Sequence, residues 1–193
     1  MKGREDAEGP RARPTKADAY RLGRRAYLNG EGLDLGRMAA ELGVNRVTLY
    51  RWVGTKEQML VDVTWQLTEL TMRQEWEAAR DVPGPRVPLV LGGFLRAMFS
   101  WPEVRRFNEE NNAFLMRVMT TADYGFHARF VDAVRAYVEV DVAEGRTTDS
   151  VPAHDLAYAC VRLVESYVYL PTITGAPPAP EAAQRVLEAL LRP

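Results

Sequence analysis

The segment LDLGRMAAELGVNRVTLYRWVG, residues 33–54, predicts two short helices joined by a tight turn. The first helix has one apolar face, formed by residues at helical spacing: Leu35, Met38, Ala39 and Leu42. Asp34 precedes this face at a position that favours an N-cap. Gly43 follows it, where a left-handed glycine most easily ends a helix. This order of cap, apolar face and glycine turn is typical of a helix-turn-helix.

The second helix begins after Asn45, a good N-cap residue, and has room for both a core face and a DNA face. Leu49 and Trp52 can face inward, together with either Val47 or Thr48. The outward positions combine base-edge donors, an apolar side chain for a thymine methyl group and an aromatic hydroxyl for a phosphate: Arg46, Val47, Tyr50 and Arg51. The alternative is a helical hairpin in an ordinary all-α domain.

Flanking residues favour the DNA-binding interpretation. Residues 17–29 form a preceding helix, for which Thr15 and Asp18 provide a capping box. Thr55 precedes a long helix that opens at Lys56, where free backbone N–H groups attract a phosphate. We therefore predict a DNA-binding domain at 15–55, with Asn45, Thr55 and Lys56 among the DNA contacts.

Composition limits the other classes of function. The chain has 193 residues, of which 47% are hydrophobic and 26% charged, so it can bury a core and stay soluble. It has no 18-residue apolar run and no signal peptide, which predicts a cytoplasmic protein without a membrane partner. Its single cysteine excludes an internal disulfide framework, and we expect neither a metal site nor a cofactor.

Charge is unevenly distributed along the chain. Residues 1–60 carry 12 Lys/Arg and 8 Asp/Glu, whereas residues 61–193 carry 13 and 18. A basic head on an acidic body fits nucleic-acid contact confined to the head, although a difference of this size also arises by chance. The polar, Pro- and Gly-bearing residues 1–14 are predicted to be a disordered arm, whose Arg11 and Arg13 could reach a minor groove.

The rest of the chain, 56–193, predicts a second helical domain. The helix at 56–80 has two apolar stripes, one containing Val63 and Leu67 and the other Trp65 and Met72, so it should be buried between two partners. Further helices are predicted at 89–100, 103–119, 124–143, 152–170 and 180–191. The whole chain is therefore predicted to be all-α, with about nine helices.

Residues 47–60 (VTLYRWVGTKEQML), the three-helix head and the helical body resemble the TetR family of transcriptional repressors. Residues 26–54 and 161–178 (VRLVESYVYLPTITGAPP) resemble its QsdR-type branch in particular. The resemblance implies a homodimer that binds a near-palindromic, double-stranded DNA operator and releases it when a small molecule enters the C-terminal domain. The QsdR branch is associated with lactone-type signals.

Two other functions compete with that of a ligand-responsive repressor, namely an enzyme and a repressor without a ligand. An enzyme is disfavoured because Cys160 falls on the apolar face of its helix and because no Gly-rich phosphate loop, GxSxG or HExxH motif is present. His127 reads as a satisfied, partly buried histidine, and His154 as a surface residue. A dimeric DNA-binding repressor without any ligand stays open, since the aromatic and methionine residues of 94–130 suit a cavity and a solid core equally.

The ligand cavity is expected between the long helix and the four helices that follow it. Asn111 is the leading polar candidate, because its spacing from Phe107 and Phe114 puts it on their inward face. The further candidates are Trp101, Phe107, Phe114, Tyr137, Glu165 and Tyr169, of which Glu165 could instead be a structural or dimer-face carboxylate. Dimerisation is expected through 152–170 and 180–191, whose apolar stripes contain Leu156, Leu163, Tyr167, Val186 and Leu190.

Overall fold

The computed structural model describes residues 13–193, so the predicted arm lies almost entirely outside the described residues. Every regular element in the described part is helical, which confirms the all-α class. Eleven α-helices run through it in chain order: α1 Lys16–Leu28, α2 Leu35–Leu42, α3 Arg46–Val53, α4 Lys56–Ala78, α5 Val87–Ser100, α6 Pro102–Glu110, α7 Asn112–Thr120, α8 Phe126–Ala143, α9 Ala153–Val168, α10 Leu170–Thr174 and α11 Pro180–Leu190. A single 3-10 turn, Ala122–Tyr124, precedes α8.

The helices of the head start where their capping residues predict. Thr15 and Asp18 form a reciprocal capping box on α1, with Asp18 accepting from the Thr15 backbone at 2.7 Å. Asp34 accepts from the backbone N–H groups of the first turn of α2. Gly43 ends α2 with φ = 65°, a left-handed value that glycine adopts at little cost.

The apolar interior consists of two clusters that share α4. The head cluster combines α1–α3 with the N-terminal part of α4 and, unexpectedly, with Val104, Phe107 and Leu115 of α6 and α7. The body cluster combines the opposite side of α4 with α5, α8, α9 and α11. The predicted two-sided burial of the long helix is confirmed, since Val63 belongs to the head cluster and Met72 to the body cluster.

Helix boundaries in the body differ from the predicted ones at two places. The predicted helix 103–119 is broken at Asn111, which ends α6 and precedes α7. The predicted helix 152–170 ends at Val168, after which α10 forms a separate short helix. These breaks, with the 3-10 turn, raise the number of helices above the predicted nine.

A buried ion pair fixes the start of α5. Asp141 of α8 is fully buried and accepts from the backbone N–H groups of Arg86 and Val87, at 2.7 and 3.1 Å, and from the Arg86 side chain at 2.8 Å. The Arg86 guanidinium lies 4.0 Å above the Trp76 ring, which stacks on Tyr137 at 4.5 Å. Three helices, α4, α5 and α8, are therefore joined beside the Pro-rich turn that ends α4.

Candidate DNA-binding surface and effector cavity

Helix α3 buries one face and exposes the other. Leu49 and Val53 lie in the head cluster, whereas Val47 and Tyr50 are 66% and 46% exposed. The alternative left open by the sequence is thereby decided, because Val47 faces outward and Thr48 is half-buried. Arg46 and Arg51 are also exposed. The four predicted outward residues of this helix therefore share one solvent-facing surface.

Capping residues order both edges of this surface. The Asn45 side chain accepts from the Val47 backbone at 2.8 Å, and Thr55 accepts from the Gln58 backbone at 3.2 Å. Gly54 joins the two helices with φ = 70°. Lys56 is exposed at the first position of α4, where the orphan N–H groups of the helix create a partial positive charge.

Three of the four arginines of α1 and α2 are paired with acidic side chains within residues 13–193, whereas the cations on this surface are not. Arg21, Arg25 and Arg37 form ion pairs with Asp18, Glu41 and Glu31. By contrast, within residues 13–193 the charged groups of Arg46, Arg51 and Lys56 make no ion pair. A surface with unneutralised cations beside a helix N-terminus suits a polyanion.

A cavity of about 430 Å³ lies where the head cluster meets the body cluster. Its wall is formed by α4–α10 and the C-terminal end of α1. Much of this wall is aromatic or contains methionine: Phe94, Met98, Phe99, Trp101, Met119, Phe126 and Phe130. This volume falls within the range of small-molecule sites, and adaptable apolar walls are typical of them.

Three of the seven predicted ligand residues line the cavity, namely Trp101, Glu165 and Tyr169. Asn111 does not, because the helix breaks there and its side-chain amide donates to the Phe107 carbonyl oxygen at 2.8 Å. Its spacing from Phe107 and Phe114 would place it inward only on one continuous helix, whereas α6 and α7 are separate helices. The next residue, Asn112, lines the cavity instead.

The other three predicted residues have different surroundings. Phe107 packs in the head cluster with its ring edge-on to Tyr27, at a centroid distance of 5.7 Å. Phe114 is half-buried between the two clusters. Tyr137 stacks on Trp76 beside the buried Arg86 pair. Helical spacing identifies an inward face, but it does not distinguish a residue that fills the core from one that borders a void.

Glu165 is a buried carboxylate whose two oxygens are both engaged. One oxygen lies 2.8 Å from His127 Nδ1, and the other accepts from Arg162. His127 is thus a half-buried histidine with a partner, as the sequence favoured, while His154 is exposed. Glu165 and His127 tie α9 to α8 at the cavity wall.

Two residues of the DNA-binding head, Tyr27 and Leu28, also line the cavity. Tyr27 is buried, which raises the pKa of its phenol to about 12. Its hydroxyl makes a long contact of 3.4 Å with Asn108 Oδ1 of α6. The sequence carries no local signal for this arrangement, since Tyr27 and Asn108 are 81 positions apart.

A second link between head and body lies about two turns nearer the N-terminus of α1. The Tyr20 hydroxyl donates to Asp62 Oδ2 of α4 at 2.8 Å, and Arg129 of α8 donates to Asp62 Oδ1 at 2.9 Å. Helices α1, α4 and α8 are therefore joined by polar contacts as well as by apolar packing.

The two helices predicted to dimerise expose part of their apolar stripes. Val186 and Leu190 of α11 and Tyr158 of α9 are exposed. Leu156, in contrast, is buried in its own body cluster, while Leu163 and Tyr167 are half-buried against it. The predicted stripe of α9 is thus divided between its own core and the surface.

The single cysteine of the chain has the surroundings of a core residue. Cys160 is fully buried, and burial raises the pKa of its thiol to about 12, which keeps the thiol unreactive. No group of three or more metal-ligating side chains occurs among residues 13–193. None of the helices in that range is long and apolar enough to cross a bilayer.

Comparison with known proteins places this arrangement of head and body in a family. The model of the tetracyclin repressor-like C-terminal domain matches residues 84–192, more than half of the chain. Among solved structures, the chain is similar to the R. erythropolis transcriptional repressor QsdR from the TetR family, with a TM-score of 0.80 and 27% identity over 92% of this chain and 96% of that one. It is more distantly similar to AibR, solved in complex with isovaleryl coenzyme A and operator DNA, with a TM-score of 0.48 and 16% identity over 92% of this chain and 98% of that one. No curated protein matches.

Proposed function

This chain belongs to the tetracyclin repressor-like (TetR) family of transcriptional regulators, and we propose that it is a repressor released from its operator by a small molecule. In this proposal a homodimer binds a near-palindromic operator through α3, and a mostly apolar effector enters the cavity beneath the head. The observation that carries the proposal is the pairing of an exposed, unneutralised α3 surface with a cavity whose wall includes residues of the same head.

The DNA contacts divide by chemistry into base readers and phosphate binders. Arg46 and Arg51 are long donors suited to guanine edges, and Val47 suits a thymine methyl group. Tyr50 and Lys56 suit phosphates, as do the N–H groups at the start of α4. Asn45 and Thr55 hold the two helix starts in place through their capping bonds.

Selection of bound DNA from a random pool tests this assignment, followed by gel-shift titration of single variants at several salt concentrations. Arg51→Ala should cost about 1–3 kcal/mol of binding and relax specificity at one base position. Lys56→Ala should weaken binding to all DNA sequences to the same extent and flatten the dependence of affinity on salt. Arg73→Ala is the matched control, an exposed arginine of α4 away from the head. Unchanged affinity in both head variants would contradict the assignment.

We extend the proposal to a dimer formed through α9 and α11. Their exposed apolar residues, among them Tyr158, Val186 and Leu190, could be buried in a four-helix bundle with a second copy. Two-fold symmetry would set the two α3 helices roughly 34–36 Å apart, or a multiple of that distance, and demand an inverted repeat. Analytical ultracentrifugation at micromolar concentration checks this, and a monomer there would refute it.

Release would proceed through the elements that border the cavity. An effector that enlarges the cavity would press on α4 and α6, both of which pack in the head cluster, and on Tyr27 itself. A tenfold loss of operator affinity requires the effector to favour the released form by about 1.4 kcal/mol. Operator release by lactones and acyl compounds is the direct measurement. If no apolar small molecule releases the protein, the alternative of a ligand-free repressor stands.

A further inference from the structure

One corner of the cavity is polar, whereas much of the remaining wall is apolar. We define this polar corner by Asn112, Glu165, Tyr169 and Thr172, all of which line the cavity. These four residues are connected by two hydrogen bonds and by the chain itself. The Asn112 amide donates to the Thr172 hydroxyl, the Tyr169 backbone N–H donates to the Glu165 carbonyl oxygen, and Thr172 follows Tyr169 by three residues. Helices α7, α9 and α10 meet at this corner.

Tyr169 presents a hydroxyl to the cavity at the polar corner. The residue is only 8% exposed, and its hydroxyl has no hydrogen-bond partner among the residues that the structure describes. Burial, reinforced by the negative charge of Glu165, raises the pKa of this phenol, so it stays protonated and able to donate. Because this oxygen is not itself fully buried, a ligand atom that enters the cavity can accept from it.

Asn112 has a second unsatisfied atom at the same corner. Its amide nitrogen donates to Thr172, but its Oδ1 is buried without a partner in the described part of the chain. The side-chain amide turns easily about its last dihedral angle, so it can meet a ligand group that donates. The corner therefore lacks both an acceptor, for Tyr169, and a donor, for Asn112.

The charges of the cavity wall discriminate between classes of ligand. Three carboxylates, Glu75, Glu109 and Glu165, face one guanidinium, Arg105, which already pairs with Glu109 at 3.8 Å. A carboxylate ligand would enter a negative field without a free cation. An ammonium ligand would find both oxygens of Glu165 occupied by His127 and Arg162. Neither ion could be buried at the polar corner at low cost.

Resting on the proposed sensor function, we infer that the effector is a neutral amphiphile whose hydroxyl or carboxamide end binds at Tyr169 and Asn112. The carboxamide oxygen accepts from the Tyr169 hydroxyl, and its N–H group donates to Asn112 Oδ1. A hydroxyl can do both in the same place. The hydrocarbon part lies against the aromatic wall, where Phe130 contacts both Phe94 and Phe126 edge to face.

Four probes of equal chain length test this inference: n-octanol, octanamide, octanoate and octylamine. Their dissociation constants are measured by calorimetry at pH 7.5, and each is also tested for release of the selected operator. Octanol and octanamide should bind at least about tenfold more tightly than octanoate, whose carboxylate must be buried without a free cation. Octylamine can reach Glu75, a wall carboxylate that makes no ion pair within residues 13–193, so its affinity should not depend on Tyr169. Octanoate binding as tightly as octanamide, or an octylamine affinity that falls in Tyr169→Phe, would overturn the inference while leaving the sensor function standing.

Variants locate the polar end of the probe. Tyr169→Phe should weaken the binding of octanamide about fivefold to tenfold, because it removes one hydrogen bond, and Asn112→Leu should have the same effect. Toluene, which cannot use the hydroxyl, should bind the Tyr169→Phe variant as it binds the wild type. Tyr124→Phe, at a tyrosine that does not line the cavity, is the control. Equal octanamide affinity in Tyr169→Phe and wild type would overturn the inference. Failure of all four probes to bind would overturn it together with the effector part of the proposed function, but not the DNA-binding part.

Discussion

Helices α1–α4 and helices α5–α11 begin in different ways. Each of the first four starts at a side-chain N-cap, provided by Thr15, Asp34, Asn45 and Thr55. In the described chain, none of the helices α5–α11 has a side-chain cap bond from its own N-cap residue, and α5, α6, α10 and α11 carry proline in the first turn instead. The head is therefore specified by short-range contacts, whereas the helix starts of the body depend on proline and on tertiary contacts.

Removal of the tertiary cap of α5 should have the largest effect. Asp141→Ala would leave the buried Arg86 charge without its main partner and free the two N–H groups at the start of α5. We expect a loss of about 3–5 kcal/mol in the free energy of unfolding, measured by urea denaturation. Asp132→Ala, an exposed aspartate of the same helix, is the control and should change it little. A loss below about 1 kcal/mol in Asp141→Ala would show that local propensity alone sets the start of α5.

A second expected effect concerns the contact between head and body at alkaline pH. Burial raises the folded-state pKa of Tyr27 to about 12, above its usual value near 10. Above pH 10 the unfolded chain loses this proton before the folded one does, so stability is complete below pH 10 and falls as the pH rises toward 12. The total loss in the free energy of unfolding that comes from this residue is on the order of 2–3 kcal/mol.

Tyr27→Phe tests that effect, since it removes the titrating group but keeps the ring against Phe107. The fall in unfolding free energy between pH 10 and 12 should be shallower in the variant than in the wild type. Tyr50→Phe should leave the slope unchanged, because Tyr50 is exposed on α3. Identical slopes for Tyr27→Phe and wild type would mean that the Tyr27 phenol is not desolvated by the α1–α6 contact.

The features that could be predicted from the sequence are mainly those that depend on short-range contacts, as the helix starts of the head do. The capping box at Thr15, the glycine turn at Gly43 and the outward face of α3 all depend on residues within a few positions of one another. The all-α class and the two-sided α4 follow from helical spacing in the same way. The family was predicted from a resemblance in sequence, and the family model confirms it.

The cavity wall could be predicted only in part, because it depends on contacts between distant residues. Tyr27 reaches the cavity through the packing of α1 on α6, which no local pattern encodes. Asn111 has the spacing of an inward residue, but its amide ends α6 by bonding the Phe107 carbonyl. An asparagine that competes for backbone groups often interrupts a helix, and the NN pair at 111–112 was the available signal.

A matched pair of alanine-to-leucine substitutions compares the close-packed head cluster with the wall of the cavity. Ala19 is fully buried in the head cluster, whereas Ala97 borders the cavity. Ala19→Leu should cost about 1–3 kcal/mol of unfolding free energy by overpacking the head. Ala97→Leu should cost less, because the added carbons can enter the void, and it should weaken toluene binding. Equal losses in the two variants would indicate that the cavity wall is as rigid as the head core.

The smallest expected effect tests the local caps of the head. Thr15→Ala removes the hydroxyl that accepts from the Asp18 backbone, and should lower stability by about 0.5–2 kcal/mol.

The same substitution changes the pH dependence of stability, because the Thr15 hydroxyl also donates to the Asp18 carboxylate. The side-chain and backbone hydrogen bonds from Thr15 are the main reason that the pKa of Asp18 is lowered. That contribution to stability is present above the usual aspartate pKa and is lost as the pH falls through the lowered folded-state value. The acid limb of the stability curve should therefore be shallower in Thr15→Ala, as measured by urea denaturation from pH 2 to pH 6. Thr15→Ser keeps the hydroxyl and should restore both quantities; if it does not, the methyl group of Thr15, and not its capping bonds, stabilises α1.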